Sequence, residues 1–191
     1  MMKTKTQLRT ELRNLRRQHV DALPDAMRGL VFRRPPRPLL DLIPAGSTIG
    51  LYRANADEAP ASHYAGFFHE NGHRLALPRF AARDSAMDFA SHIDPFAETD
   101  LVEGPFGLMQ PGSAAGKIVP DVLVMPLIGF TERGERLGQG GGHYDRWLEQ
   151  HPETRTIGLA WDCQLVDELP VEAHDRPLDL VVTPTRMYGP F

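Results

Sequence analysis

Apolar and polar positions along this chain follow two periods, and the switches between them mark out its elements. Leu8, Leu12 and Leu15 recur at helical spacing between Thr4 and about His19, with Lys5, Arg9, Arg13 and Arg16 or Arg17 as a second stripe. The pattern predicts an amphipathic basic helix, and Thr4 and Gln7 have the spacing of a capping box that sets its start. Residues 24–33 predict a short helix, which "RRPPRP" stops because proline lacks the amide donor and restricts its predecessor. Next, "STIGLY" reads as a buried strand, "ASHYAGFFHENG" as a helix closing at Asn-Gly, and "HRLALP" as a strand, together one β-α-β unit. "AMDFASHI" predicts a strand, and "DVLVMPLIGF" is the strongest β run. A glycine stretch then leads into a helix through "HYDRWLEQ". "TRTIGLAW" and "LDLVVTP" predict two further strands flanking a short helix in "CQLVDELP". This alternation predicts an α/β fold, Rossmann-like, with a largely parallel sheet flanked by helices.

Composition narrows the class. The chain has 191 residues and 41% hydrophobic content, which fits one domain over 1–191. With 21 Lys+Arg against 25 Asp+Glu the net charge is -4, so no global field draws the chain to nucleic acid or anionic lipid, and any anion site must be local. Cys163, the single cysteine, has no internal disulfide partner and reads as a buried, inert thiol. No apolar run reaches membrane-spanning length, and the N-terminus lacks the apolar core of a signal peptide, so a cytoplasmic protein is expected. The eight histidines show no paired metal-ligand spacing, and no Gly-x-Ser-x-Gly elbow is present.

The candidate chemistry lies in "RLGQGGGHYDRWL", residues 136 to 148. Glycine lets backbone amides approach a ligand closely, and a glycine-rich turn feeding a helix N-terminus makes an anion cradle. Arg136 offers a planar fork of donors to phosphate, and Asp145, just inside the helix, suits a hard cation such as Mg2+. Together they point to a nucleotide with its metal. A Walker A loop is excluded because His143 follows Gly142. A dinucleotide fingerprint fits poorly, since "TERGERL" separates the strand from Gly138 and Gly140, yet Asp162 has the spacing of a ribose-binding acid. An NAD-linked oxidoreductase and a non-catalytic nucleotide-binding module therefore stay open. Lys5 and Arg9 sit on the first turns of their helix, where the macrodipole disfavours cations; a facing phosphate chain would reverse that, and a solvated basic face is the alternative.

"MPLIGFTERGERLGQGGGHYDRWL" resembles the signature of the 5-formyltetrahydrofolate cyclo-ligase (5,10-methenyltetrahydrofolate synthetase) family. The segments "KTQLRTELRNLRR", "DE" at 57 to 58, "LPRF", "GLMQPG" and "DCQLVDELPVEAHDRPLDLVVTP" follow the family's order. The resemblance implies ATP as co-substrate, Mg2+ and a reduced folate, 5-formyltetrahydrofolate, in monoglutamate or polyglutamate form, acting in a monomer or weak homodimer. It places Lys5 and Arg9 on the ATP phosphates. Arg136, Leu137, Gly138, Gln139, Gly140, Gly141, Gly142, His143 and Tyr144 would cradle the nucleotide, and Gln139 to His143 would also approach the formyl group. Asp145 would be the main Mg2+ ligand and Asp179 a second. Glu58 would pair with the pterin, while Tyr52, Phe80, Met87 and Phe106 line the folate pocket; Arg136, His143 and Asp145 would carry catalysis. Phe106 stands where relatives have tryptophan, and His143 where they have Tyr or Phe. The reaction implied is phosphorylation of the formyl oxygen, then ring closure by N10, with no protein nucleophile.

Overall fold

The computed structural model describes residues 3–28, 30–172 and 175–191. Helix α1 (Lys5–Ala22) starts where the capping box sets it, with the Gln7 amide donating to Thr4 Oγ1 at 3.2 Å and the Thr4 amide to Gln7 Oε1 at 2.9 Å. The helix predicted over 24–33 is only one turn, α2 (Asp25–Arg28). The prolines start a further turn, α3 (Arg37–Leu40), because a proline in a first turn lacks only an amide that no helix would have used.

Strand β1 (Thr48–Gly50), helix α4 (Ser62–Glu70) and strand β2 (Arg74–Arg79) form the expected β-α-β unit, with β1 and β2 parallel. Strand β3 (Asp88–His92) turns back antiparallel on β2. The next pair, β4 (Leu101–Glu103) and β5 (Met109–Pro111), is a hairpin outside the main sheet that the polar-apolar pattern does not reveal.

The strongest β run divides into β6 (Val122–Pro126) and β7 (Gly129–Phe130). Pro126 cannot donate to a continuing ladder, and after it the chain leaves the sheet so that β7 pairs with β8 (Arg136–Leu137). Helix α5 (His143–Gln150) and strand β9 (Arg155–Leu159) follow as predicted, then β10 (Leu180–Val182) and β11 (Met187–Tyr188). The helix predicted in "CQLVDELP" is instead a 3-10 turn, Asp162–Gln164. Gln164 bonds back to the Trp161 amide and to the carbonyls of Leu127 and Ile128, and the Val166 amide donates to Phe130; these tertiary partners replace helical ones.

The sheet has seven strands in the order β11-β10-β9-β6-β1-β2-β3, parallel throughout the five central strands and antiparallel at both edges. Continuous apolar sequence in β6 reflects burial of both faces. Val122 and Val124 pack into one core with Ile49, Tyr64 and Phe68, while Leu123 and Met125 pack into the other with Phe89, Trp147 and Leu148. A third cluster of Leu12, Ile128, Leu137 and Leu169 seats α1 beside the loop that precedes α5. The fit is close at Gly129, where a Cβ would lie 2.6 Å from Leu12 Cδ1.

Candidate active site

The chain runs from β1 to β2 on one side and places β6 on the other side of β1. In open α/β sheets such a reversal of strand order leaves a crevice at the carboxyl ends of the strands. A cleft of about 620 Å3 opens there. Its floor includes Met125 and Pro126, which end β6, and Tyr52, just beyond β1.

Residues 136 to 145 line this cleft without a gap. The glycines are required at two positions: Gly140 has φ +106° and Gly142 has φ +65°, the left-handed region that disfavours side chains. Gly142 is also the N-cap of α5 and offers no capping side chain, so first-turn amides are left for a ligand. The basic stripe of α1 is not a solvated face. Arg9 Nε donates to the Gly138 carbonyl at 2.9 Å and Arg13 Nη2 to the Gln139 carbonyl at 3.0 Å, so α1 clamps the glycine loop. Lys5 donates to Glu172 at 2.8 Å and to Asp175 at 2.7 Å. Burial would lower its pKa, but these two carboxylates outweigh burial and raise it. Arg136 on β8 pairs with Asp145 and donates to the Arg176 carbonyl at 2.5 Å.

Tyr52, Glu58, Phe80, Met87 and Phe106 line the same cleft. Glu58 is buried, taking the Asn55 amide at 2.8 Å on one oxygen and Gln139 Nε2 at 2.7 Å on the other. Burial raises its pKa, against the lowering influence of the Asn55 amide, Arg16 and Gln139. The loop bearing Glu58 is tied down by Arg16, whose Nε and Nη2 both donate to Asp57. Tyr52 is buried with its hydroxyl on the Ala59 carbonyl, and desolvation pushes its pKa well up. Tyr144 is shifted upward for the same reason, with Glu58 adding to it. His143 packs edge-on against Phe80, with ring centroids 4.9 Å apart, and against Phe106 at 6.0 Å. Burial and then the Arg146 guanidinium lower its pKa.

One expected site residue lies elsewhere. Asp179 precedes β10, whose parallel alignment with β9 puts that end of the strand away from the cleft, and its Oδ2 accepts from the Thr156 amide at 2.6 Å and hydroxyl at 2.9 Å. The expectation of a second metal ligand at Asp179 is therefore corrected; besides Glu58, the carboxylates that do share the cleft with Asp145 are Glu172 and Asp175. Residue-type spacing favoured neither. The structure also adds Asn55, Leu108, Met109 and Gln110 to the lining. The Gln110 amide bonds both the NH and the carbonyl of Phe80, at 3.0 and 2.9 Å, which seats the hairpin on the cleft wall. The dinucleotide alternative loses its ribose acid, because Asp162 accepts from the hydroxyls of Thr183 and Thr185, each at 2.6 Å.

Backbone amides at a helix start and a cationic helix suit one part of this α/β cleft to an anion, and apolar walls with a buried acid make up another part. The chain belongs to the 5-formyltetrahydrofolate cyclo-ligase family, whose model matches residues 1–184. It is 30% identical over 197 residues to the 5-formyltetrahydrofolate cyclo-ligase of Mycolicibacterium smegmatis, covering 96% of this chain and 95% of that one. Against the Escherichia coli (strain K12) cyclo-ligase it is 44% identical over 97 residues; that match takes in 48% of this chain and spans about half the relative's length, 53%. The fold is similar to the NMR structure of Aquifex aeolicus 5,10-methenyltetrahydrofolate synthetase, with TM-score 0.75 and 23% identity over 97% of this chain and 92% of that one. Among the described residues, no helix is long and apolar enough to cross a membrane.

Proposed function

We propose that this protein converts 5-formyltetrahydrofolate to 5,10-methenyltetrahydrofolate, using ATP with Mg2+ and releasing ADP and phosphate. The observation that carries the reading is the joining of two unlike halves in one cleft: Lys5, Arg9 and the glycine loop at one end, Glu58 among aromatic side chains at the other. Gln139 bridges them through its backbone clamp to Arg13 and its side-chain bond to Glu58. A carboxylate accepts two hydrogen bonds from the amino-pyrimidinone edge of a pterin, and flat apolar walls suit the ring.

An N-formyl group is an amide, a poor electrophile whose oxygen is a poor leaving group. In the proposed sequence the formyl oxygen attacks the γ-phosphorus of ATP and the bond to ADP breaks. N10 then adds to the activated carbon and gives up its proton to solvent, and phosphate leaves with the former formyl oxygen. Arg136, Lys5 and the first amides of α5 stabilise the charge of the transferring phosphoryl group, and the cleft aligns it with the formyl oxygen. Asp145 would supply a hard oxygen donor of the kind Mg2+ takes alongside phosphates; Glu172 and Asp175 line the same cleft but are engaged by Lys5, and among the described residues no three acids are gathered into a metal-holding group. When bound, the ion neutralises phosphate charge. His143, with its pKa lowered, serves as a neutral ring packed against Phe80 and Phe106.

The test is direct. The protein is mixed with 5-formyltetrahydrofolate, ATP and Mg2+, and the near-ultraviolet absorbance of the methenyl product is followed beside ADP. Growth of both in equal amounts, dependent on the folate, is expected. ADP release without methenyl product, or neither, overturns the assignment.

A further inference from the structure

The cleft extends to an outer mouth of which the reaction just described uses only Phe106. Beyond Phe80 it is edged by Phe106, Leu108 and Met109 from the β4–β5 hairpin, all lining residues, which are 41%, 43% and 39% exposed. The hairpin forms a sheet of its own and sends Leu101 into the core, whereas these three apolar groups stay at the rim of the cleft, where core packing does not explain them. Arg83 reaches over them, its guanidinium carbon 5.6 Å from the Phe106 ring centre. Arg83 is exposed and, among the described residues, forms no ion pair or hydrogen bond, in contrast to Arg79 nearby, which is committed to Asp88 and to the carbonyls of Gly112 and Ala115.

We propose that the hairpin tip and Arg83 form a subsite for the aryl-glutamate end of the folate, with the aryl ring against Phe106, Leu108 and Met109 and the glutamate carboxylates at Arg83. This rests on the cyclo-ligase reading and extends it to the half of the substrate remote from the chemistry. Electrostatics fixes the direction. With the pterin on Glu58, the cations of the nucleotide end, Lys5, Arg9 and Arg136, are already met by the ATP phosphates and by Asp145, Glu172 and Asp175, so a tail turned that way finds no cation left to pair with. A tail that leaves past the hairpin meets an unpaired guanidinium instead, and like charges are avoided. Phe106 serves twice, offering one surface to the aryl ring and holding Arg83 by a cation-π contact at the rim.

The experiment compares wild type with Arg83→Gln on two substrates, 5-formyltetrahydrofolate and 5-formyltetrahydropteroate, which is the same molecule without its glutamate. An exposed charge pair of ordinary strength predicts that the variant raises KM for the first substrate about three- to fivefold, with kcat unchanged. KM for the pteroate compound stays the same in both proteins, and the wild-type preference for the glutamate form weakens with salt while the variant's does not. Equal KM values for wild type and variant on 5-formyltetrahydrofolate overturn the proposal. So does an equal rise on both substrates, since that would make Arg83 only a support for Phe106. If wild type turns over neither compound, the cyclo-ligase reading fails first. Calorimetric affinities of both proteins for both compounds then judge the subsite separately, and an affinity for the glutamate form that is indifferent to Arg83→Gln rejects it.

Discussion

Arg16 is the strongest structural dependence of the folate end of the cleft on the N-terminal helix. Its side chain is 5% exposed, and it donates to Asp57 Oδ2 from Nε at 3.1 Å and Nη2 at 3.0 Å. Arg16→Met keeps the apolar length of the side chain and removes the charge. Breaking a buried, hydrogen-bonded ion pair by removing one partner costs about 3–5 kcal/mol. Asp57, however, keeps 24% of its side chain in solvent, where water can replace part of what is lost. The Leu127 carbonyl, which Arg16 also approaches, retains Gln164 Nε2 at 2.6 Å. The cost therefore falls to about 2–3 kcal/mol, which for a chain of this size lowers Tm by about 4–12 °C. Calorimetric or circular-dichroism melting of Arg16→Met, Asp57→Asn and the double variant measures the coupling directly. A coupling above about 1 kcal/mol is expected; a value within about 0.5 kcal/mol of zero refutes the pairing as a source of stability. The loop that Arg16 holds carries Glu58, so the same variant should raise KM for the folate more than KM for ATP. An equal rise for both would indicate general loosening.

Glu58→Gln weakens folate and leaves ATP affinity nearly unchanged by calorimetry, because the residue lines only the pterin end. Since burial raises the pKa of Glu58 in the folded state, its favourable contribution is complete below the unfolded carboxylate range and is lost as pH rises through the folded pKa. Tm of Glu58→Gln minus Tm of wild type should therefore increase from about pH 3.5 to about pH 7, which lie below and above the ordinary glutamate value; a flat difference contradicts the shift. Asp145→Asn keeps the fold and loses most turnover at limiting Mg2+, since an amide oxygen holds the ion less well; near-normal Mg2+ dependence removes Asp145 from the metal. His143→Tyr retains activity, and its pH-rate profile superimposes on wild type above about pH 7.5, a unit beyond the ordinary histidine value, since burial and the Arg146 guanidinium both favour the neutral imidazole. A wild-type limb centred above that pH and absent from the variant would restore a proton role to His143.

Local sequence determined most of the elements. The leucine spacing and the Thr4–Gln7 box set α1, Asn71 and Gly72 end α4, and the unbroken apolar run of β6 announces a strand buried on both faces. The glycine run was also legible, since φ +106° at Gly140 and φ +65° at Gly142 call for the residue without a Cβ. What a segment pairs with was not legible. "CQLVDELP" has helical potential, but Gln164 and Val166 find partners on Trp161, Leu127 and Phe130, up to tens of residues away, and the helix does not form. The β4–β5 hairpin is too short and too exposed to show an alternating pattern. Charged residues gave the weakest signal, because a carboxylate has the same sequence character wherever its strand ends point. Asp175 and Asp179 lie four positions apart, yet the first meets Lys5 in the cleft and the second bonds Thr156 beyond the opposite end of β10. Both precede β10, and the segment between them, in neither helix nor strand, carries the chain from the cleft to the amino end of that strand. Likewise, the stripe from Lys5 to Arg13 is fixed by helical periodicity, but its partners, the carbonyls of Gly138 and Gln139 and the acids at 172 and 175, are supplied by the packing of Leu12 against Gly129 that brings α1 across the cleft.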